Sequence, residues 1–443
     1  MSVIDELKAQ QSKNLMLMEK WQKVLDCGDP IVDRFGRPDA TKRAITAQLL
    51  ENTQHAIAQE RQAEAQSMIS EAAPVNNISG GAIGMWDPIL ISMVRRAMPN
   101  TVAYDFCGVQ PMSGPTGLVF AMKSRYVNQS GTEALFNEAD TAYTGTGIVS
   151  GTAHAGSSPY DSPYTTGEGI TTGQAEALGD GSGPDFPEMA FSIDKVMVEA
   201  KSRALRADYT IELMQDLKAV QGMDAETELA NILSAEIQLD INREIIRKMF
   251  GVAKPGAQAG VSVAGQYDLD LDSNGRWSVE RFKGLLFQVE REANAIAKET
   301  RRGRGNFIVC SSDVASALDL SGKLDYAPLA NSNLQVDDTG NTFVGVLQGK
   351  YRVYIDPYFG GSSTHELLVV GYKGNSPFDA GFFYCPYVPL QMMRAIGQNS
   401  FQPKIGFKTR YGIVGNPFFG ATAGAMTANA NPYFRKVKIL NIN

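Results

Sequence analysis

The residue types that most often carry chemistry are few in this chain and far apart. Histidine occurs three times, at His55, His154 and His365, and cysteine four times, at Cys27, Cys107, Cys310 and Cys385. A general base must lie within hydrogen-bond reach of its nucleophile, and no spacing here assembles such a pair. A structural zinc site needs ligands clustered at short separations, and no CxxC pair exists. The cysteines therefore read as buried, reduced thiols. The motifs GxSxG, HExxH and GxxxxGK[ST] do not occur. The nearest phosphate-loop mimic, GVLQGKY from Gly345 to Tyr351, lacks both the spacing and the hydroxyl that would hold magnesium, and reads as a turn between strands. The expectation is a protein that is not an enzyme, with no catalytic, cofactor-binding or metal-binding residues.

One basic cluster remains, Arg301, Arg302 and Arg304, interleaved with glycines. Three charges give a shallow footprint for nucleic acid. A solvated loop and a contact between subunits are the other readings. The chain as a whole is acidic, with a formal net charge of -7 over 443 residues. That balance opposes non-specific phosphate binding, which depends on Lys and Arg releasing counterions. A hydrophobic content of 43% with 20% charged residues supports a folded core. The length suits one large irregular domain or two to three smaller ones. No apolar run approaches the roughly 20 residues of a membrane-spanning helix. The opening MSVIDELKAQQSKN has early acids and no apolar h-region, unlike a secretory signal.

The elements that would position these residues can be read along the chain. Leu7, Leu15, Leu17, Trp21, Val24 and Leu25 give a loose helical stripe, broken by Gly28, Pro30, Gly36 and Pro38. A second helix is expected from about Ala40 to Ser70. It is polar and Gln-rich, and a helix of that kind needs a partner. Ala72 to Gly84 is small and nearly uncharged, an extended boundary segment. Leu118–Tyr126 and Phe191–Ala200 read as strands. From Tyr126 through Asp194 there are ten acids and no Lys or Arg, and Thr141–Asp185 is about half Gly, Ser and Thr. That insert is either a disordered loop or an exposed, loop-rich subdomain on a hairpin.

The clearest helix runs from about Met223 to Phe250, with Leu229, Ile232, Leu233, Ile237, Ile241, Ile245 and Met249 on one broad apolar face. Asp224, Glu226 and Glu228 at its start and Arg243, Arg247 and Lys248 near its end match the helix dipole. Another helix is expected from Ser278, read as the N-cap, to Lys298. Strands follow at Asn306–Cys310, Tyr351–Ile355 and Glu366–Gly371, with a short helix from Ser312 to Leu318. There is no regular βαβ repeat, so α+β is the expected class.

Two long stretches then set the reading. Met93–Tyr126, MVRRAMPNTVAYDFCGVQPMSGPTGLVFAMKSRY, and Phe401–Phe418, FQPKIGFKTRYGIVGNPF, resemble the major capsid proteins of T-even-type tailed phages. EAKSRALRADY (199–209), INRE (241–244) and GKYRVYIDPY (349–358) agree with them. The likeness covers most of 75–443 and weakens in 1–71 and about 145–185, where the family's insertion domain is shortened.

The resemblance implies the Hong Kong 97 capsid fold, with this division: a cleavable, scaffold-facing helical propeptide at 1–71, an N-arm and short helix at 72–117, and an E-loop with its insert at 118–200. A peripheral domain with the spine helix at about 223–250 would occupy 201–281, an axial domain 282–380, and a return to the peripheral domain 381–443. It also implies a prohead protease that cuts after Glu. Ile69-Ser70-Glu71-Ala72 fits that protease's pattern, with the cut between Glu71 and Ala72 and Ile69 two residues before the Glu.

The implied function is a hexamer-forming head-shell protein, located in the virion and assembled in the host cytoplasm. The implied partners are further copies of itself, the scaffold core, the protease, vertex, portal and decoration proteins, and a folding chaperonin. Sequence-specific nucleic-acid binding and membrane insertion are not expected. A pentameric vertex protein of the same fold is the nearest alternative. An encapsulin-type compartment is a more distant one, disfavoured by the cleavable segment.

Overall fold

The computed structural model describes residues 3–26, 39–68, 101–136, 138–156, 160, 162–180, 184–220, 222, 224–273, 277–322, 324–326, 342–359, 365–396, 402–418 and 424–442. Helices and strands are mixed without alternation, the α+β class expected. By contact, the chain divides into two units, Met1–Leu118 with Met197–Asn443, and Val119–Val196.

The larger unit opens with helices α1 (Val3–Leu25) and α2 (Ala40–Met68). They are joined by an ion pair from Lys20 to Glu51 at 2.7 Å and a hydrogen bond from Trp21 Nε1 to Glu51 Oε2 at 3.1 Å. Burial raises the Glu51 carboxyl pKa, but these donors outweigh it and leave the pKa lowered. A short helix, α3 (Ala103–Phe106), and strand β1 (Gly108–Val109) follow. Strand β2 (Thr116–Tyr126) pairs with β3 (Met189–Glu199) as a two-stranded sheet. Next come β4 (Lys201–Asp208), a helix at Ile211–Val220, and the long helix Ala225–Val252, which at 28 residues spans ~42 Å.

That long helix starts at Asp224, with Glu226 and Glu228 in its first turn as the dipole favours. Its cations differ from expectation, because the last turn holds none. Arg243 instead reaches out of the helix to the buried Asp356, with both carboxylate oxygens accepting from Nη1 at 2.7 and 2.6 Å. Lys248 turns back to Glu244 at 2.5 Å. A tertiary partner fixes Arg243, and an ion pair one turn back along the same helix fixes Lys248. The next helix, Ser278–Thr300, is capped at Trp277 and not at Ser278, and no side-chain hydrogen bond closes its N-terminus.

Strands β5 (Ala253–Pro255), β6 (Gln266–Asp268), β7 (Phe307–Cys310), β8 (Leu324–Tyr326), β9 (Thr342–Leu347), β10 (Tyr351–Ile355), β11 (Glu366–Gly371) and β14 (Asn431–Leu440) form one sheet. Its order is β5-β14-β11-β7-β10-β9-β8, with β6 also on β14. Strand β7 is buried at every position, as a strand covered on both faces must be. Alternation then sorts the side chains into two cores. Phe307, Val309, Tyr354 and Val369 enter one, and Ile308, Cys310, Val353, Leu368 and Val370 enter the other. The first core holds the long helix and the aromatic group Phe106, Phe307 and Tyr354, with ring centroids about 5 Å apart. The second is filled by Leu285, Val289, Ala293 and Ile296 of Ser278–Thr300 and by Val314 and Leu318 of the helix Ser312–Leu320.

A second sheet, ordered β1-β12-β13-β4, is built on β12 (Phe382–Ile396) and β13 (Pro403–Gly415). These two pair antiparallel from Phe382 opposite Gly415 to Ile396 opposite Pro403. Strand β4 adds antiparallel to β13, with Lys404 opposite Asp208 and Tyr411 opposite Lys201.

In the smaller unit, hydrogen bonds organise the acidic insert. Asp140 Oδ1 accepts from the backbone of Ala142 at 3.0 Å and of His154 at 3.2 Å. Burial raises the Asp140 carboxyl pKa, but the hydrogen bonds with His154 and Ala142 together outweigh it and leave it lowered. The backbone N–H of Thr146 donates to Glu168 O at 2.8 Å, and the Tyr126 and Tyr143 rings meet at 4.5 Å. The insert is a loop-rich unit with two short helical pieces, Gly147–Ser150 and Thr172–Glu176.

Candidate assembly interface

The residues that carry the sequence resemblance converge. Arg203 lies on β4 within EAKSRALRADY, Glu244 on the long helix within INRE, and Tyr411 on β13 within GFKTRYGI. Arg203 Nη2 donates to Glu244 Oε2 at 2.6 Å, and Tyr411 OH donates to the same oxygen at 2.5 Å. Burial pushes the Glu244 carboxyl up, but Lys248, Tyr411 and Arg203 outweigh it and bring the pKa down to about 2. The carboxylate thus stays charged, and it clamps a helix to two strands. The cluster forms part of the wall of an open groove of about 510 Å3, with Met197, Val198, Ile413 and Val414 as apolar lining. The chemistry of the cluster is structural. Its groups neutralise one another and leave no free base to activate a nucleophile.

The hairpin of β2 and β3 is built inside out for a free-standing element. On one face Lys123 pairs with Asp194 at 2.9 Å, and Arg125 Nε donates to Ser192 at 2.8 Å and its Nη1 to Gly131 O at 2.7 Å. The other face carries Phe120, Met122, Met189, Phe191 and Ile193, each more than half exposed. Side chains two apart along a strand share a face, so these five form one apolar surface. Exposed apolar area of this extent marks a surface that another molecule covers.

The three arginines of the basic loop have different fates. Arg301 ends the helix Ser278–Thr300 in the left-handed conformation and is exposed. Arg302 lies over the Phe418 ring, 5.8 Å from its centroid, and its carbonyl accepts from Tyr372 OH. Arg304 forms an ion pair with Glu290 and stacks over Tyr351. Gly303 is required where it stands, because a Cβ there would sit 2.5 Å from the Tyr372 ring. Ile69, Glu71 and Ala72 lie outside the described residues. Cys107, Cys310 and Cys385 are buried, and burial pushes the Cys310 and Cys385 thiols up to about 12, where they are unreactive. Among the described residues no His, Cys, Asp and Glu group suits a metal ion, and no helix is long and apolar enough to cross a membrane.

Spacing alone does not reveal this arrangement. Arg203, Glu244 and Tyr411 are separated by 41 and 167 positions. The hairpin face could have been read from the sequence, since Leu118, Phe120 and Met122 alternate with Val119 and Ala121 and leave both faces apolar.

A hairpin with five large apolar side chains more than half exposed on one face is the kind of surface that a subunit of a larger assembly presents. The comparisons name which one: the family described as Major capsid protein Gp23 matches residues 83–439, and the chain belongs to that family. The major capsid protein of Salmonella phage ViI is 43% identical, over 80% of this chain and 84% of that one. That of Enterobacteria phage T4 is 35% identical, over 96% and 98%. The capsid vertex protein of phage T4 matches less well, 28% identical over 54% of this chain and 55% of its own length. Among solved structures, the capsid of Myoviridae phage XM1 aligns over 76% of this chain and 92% of that one, at 10% identity and a TM-score of 0.38.

Proposed function

We propose that this major capsid protein forms hexamers that tile a phage head around packaged DNA. The observation that supports this best is the apolar face Phe120, Met122, Met189, Phe191 and Ile193, which a neighbouring copy would cover. Each such contact is modest, and a closed lattice multiplies them. In this reading 118–200 serves as the E-loop, Ala225–Val252 as the spine helix, 282–380 as the axial domain, and 201–281 with 381–443 as the peripheral domain. All three arginines of the basic loop are exposed, but Arg302 lies over Phe418 and Arg304 pairs with Glu290, so Arg301 is the one assigned to an inter-subunit contact.

Maturation completes the function. A prohead protease cuts between Glu71 and Ala72, releasing the N-terminal segment that met the scaffold core. A vertex protein closes the five-fold corners, the portal occupies one of them, and a chaperonin folds the chain before assembly. The hexamer role is favoured over the vertex role because the vertex relative aligns over about half of each chain.

The test is electron microscopy of the chain co-expressed with a chaperonin. Tubes, sheets or shells of hexameric units are expected. A discrete small oligomer that never polymerises under any condition would overturn the reading.

A further inference from the structure

The two N-terminal helices form a folded layer on the shell domain. Trp21, Leu25, Ile45, Leu49 and Leu50 share one core with Phe106, Val109, Tyr384 and Leu390. Helix α2 is buried on two sides over two turns, from Ile45 to Thr53, because α1 lies against one side and β12 against the other. This explains how a helix with so weak an apolar stripe is stable. At the end of the buried stretch sits Asn52, only 7% exposed. Its amide nitrogen donates to Met112 O at 2.7 Å and Tyr387 O at 2.9 Å. The ladder of β12 with β13 skips Tyr387, since the register shifts between Pro386 and Val388. The helix therefore supplies a donor to Tyr387 O, at a position that the ladder does not pair, and another to the buried Met112 O. Lys42 adds a cation over the Tyr104 ring at 5.4 Å.

We propose that α1 and α2 are a self-docking cover that stays seated after the chain behind them is cut. Cleavage removes the tether and its high effective concentration, but none of these contacts lies in the linker. Departure of the cover is then a second, slower step. It bares an apolar face on β12 and two main-chain acceptors, and Asn52 is the fastener that sets its rate. This rests on the cleavage reading above, and the experiment separates the two.

In the full chain, residues 69–72 are replaced by the recognition sequence of a site-specific protease. The unassembled protein is cut, and both pieces are followed by size-exclusion chromatography and mass spectrometry. The two pieces are expected to co-elute at micromolar concentration. N52A and N52D, which remove the donor, are expected to release the fragment at least tenfold faster. Hydrogen exchange of the uncut chain guards against misfolding, with amides 46–53 expected to be as protected as those of β12. Immediate separation of the unaltered pieces, equal release rates in all three proteins, or unprotected amides at 46–53 would each overturn the proposal. Whether Glu71 is cut in natural particles is read independently, from the mass of the virion protein.

Discussion

Single carboxylates hold the larger unit together, and their loss has a calculable sign. Glu244 accepts from Arg203, Tyr411 and Lys248, and its pKa in the folded chain is about 2 against an ordinary 4.5. A depressed carboxylate pKa contributes stability that is complete above pH 4.5 and vanishes as pH falls toward 2. E244Q is expected to lower stability at pH 7 by about 2–3 kcal/mol. It should also flatten the stability–pH slope between 4.5 and 2, read from urea midpoints at each pH. Asp356 is a harsher case. Its side chain is 1% exposed and Arg243 is its ionic partner. D356A strands a guanidinium beside the core and is expected to cost about 3–5 kcal/mol, shifting the urea midpoint without changing its slope.

At the scale of elements, the hairpin is expected to separate folding from assembly. Phe120 and Phe191 lie on the exposed face, so F120D with F191D should leave the melting of the unassembled chain within about 0.5 kcal/mol of the parent. The same pair should abolish polymerisation in electron micrographs. If particles still form, that face is not the one that meets a neighbour. Which elements were legible in the sequence follows from their physics. The helices Ala225–Val252 and Ser278–Thr300 repeat apolar residues at a helical period, and β7, β10 and β11 are short apolar runs bounded by turn residues, so both kinds stand out. Strand β12 does not stand out. Its FFYCPYVPLQMMRAI contains Pro386 and Pro389, and proline argues against a strand flanked on both sides. The chain absorbs them by shifting register between Pro386 and Val388 and again between Val388 and Gln391. The motif around Tyr411 was visible as a family mark, but its bond to Glu244 links residues that no local pattern connects.

For the whole molecule, the expected outcomes concern particles. The virion form should begin at Ala72 by intact mass, and E71Q should retain the full chain in particles that fail to mature. R301E should lower the yield of polymer while leaving the unassembled fold intact. R304Q should do the reverse, with a small stability loss of about 0–1 kcal/mol because its ion pair with Glu290 is partly exposed. Together these variants separate contacts made within one copy from contacts made between copies.

The stretch from Tyr126 to Asp194, with its acids and no Lys or Arg, has a practical consequence. Trypsin has no site within it, so complete digestion yields one long peptide ending at Lys195. Amine-reactive dyes and lysine cross-linkers find no target there either. Any map of the chain made with such reagents would leave this region blank, and a carboxyl-directed reagent would be the one to reveal it.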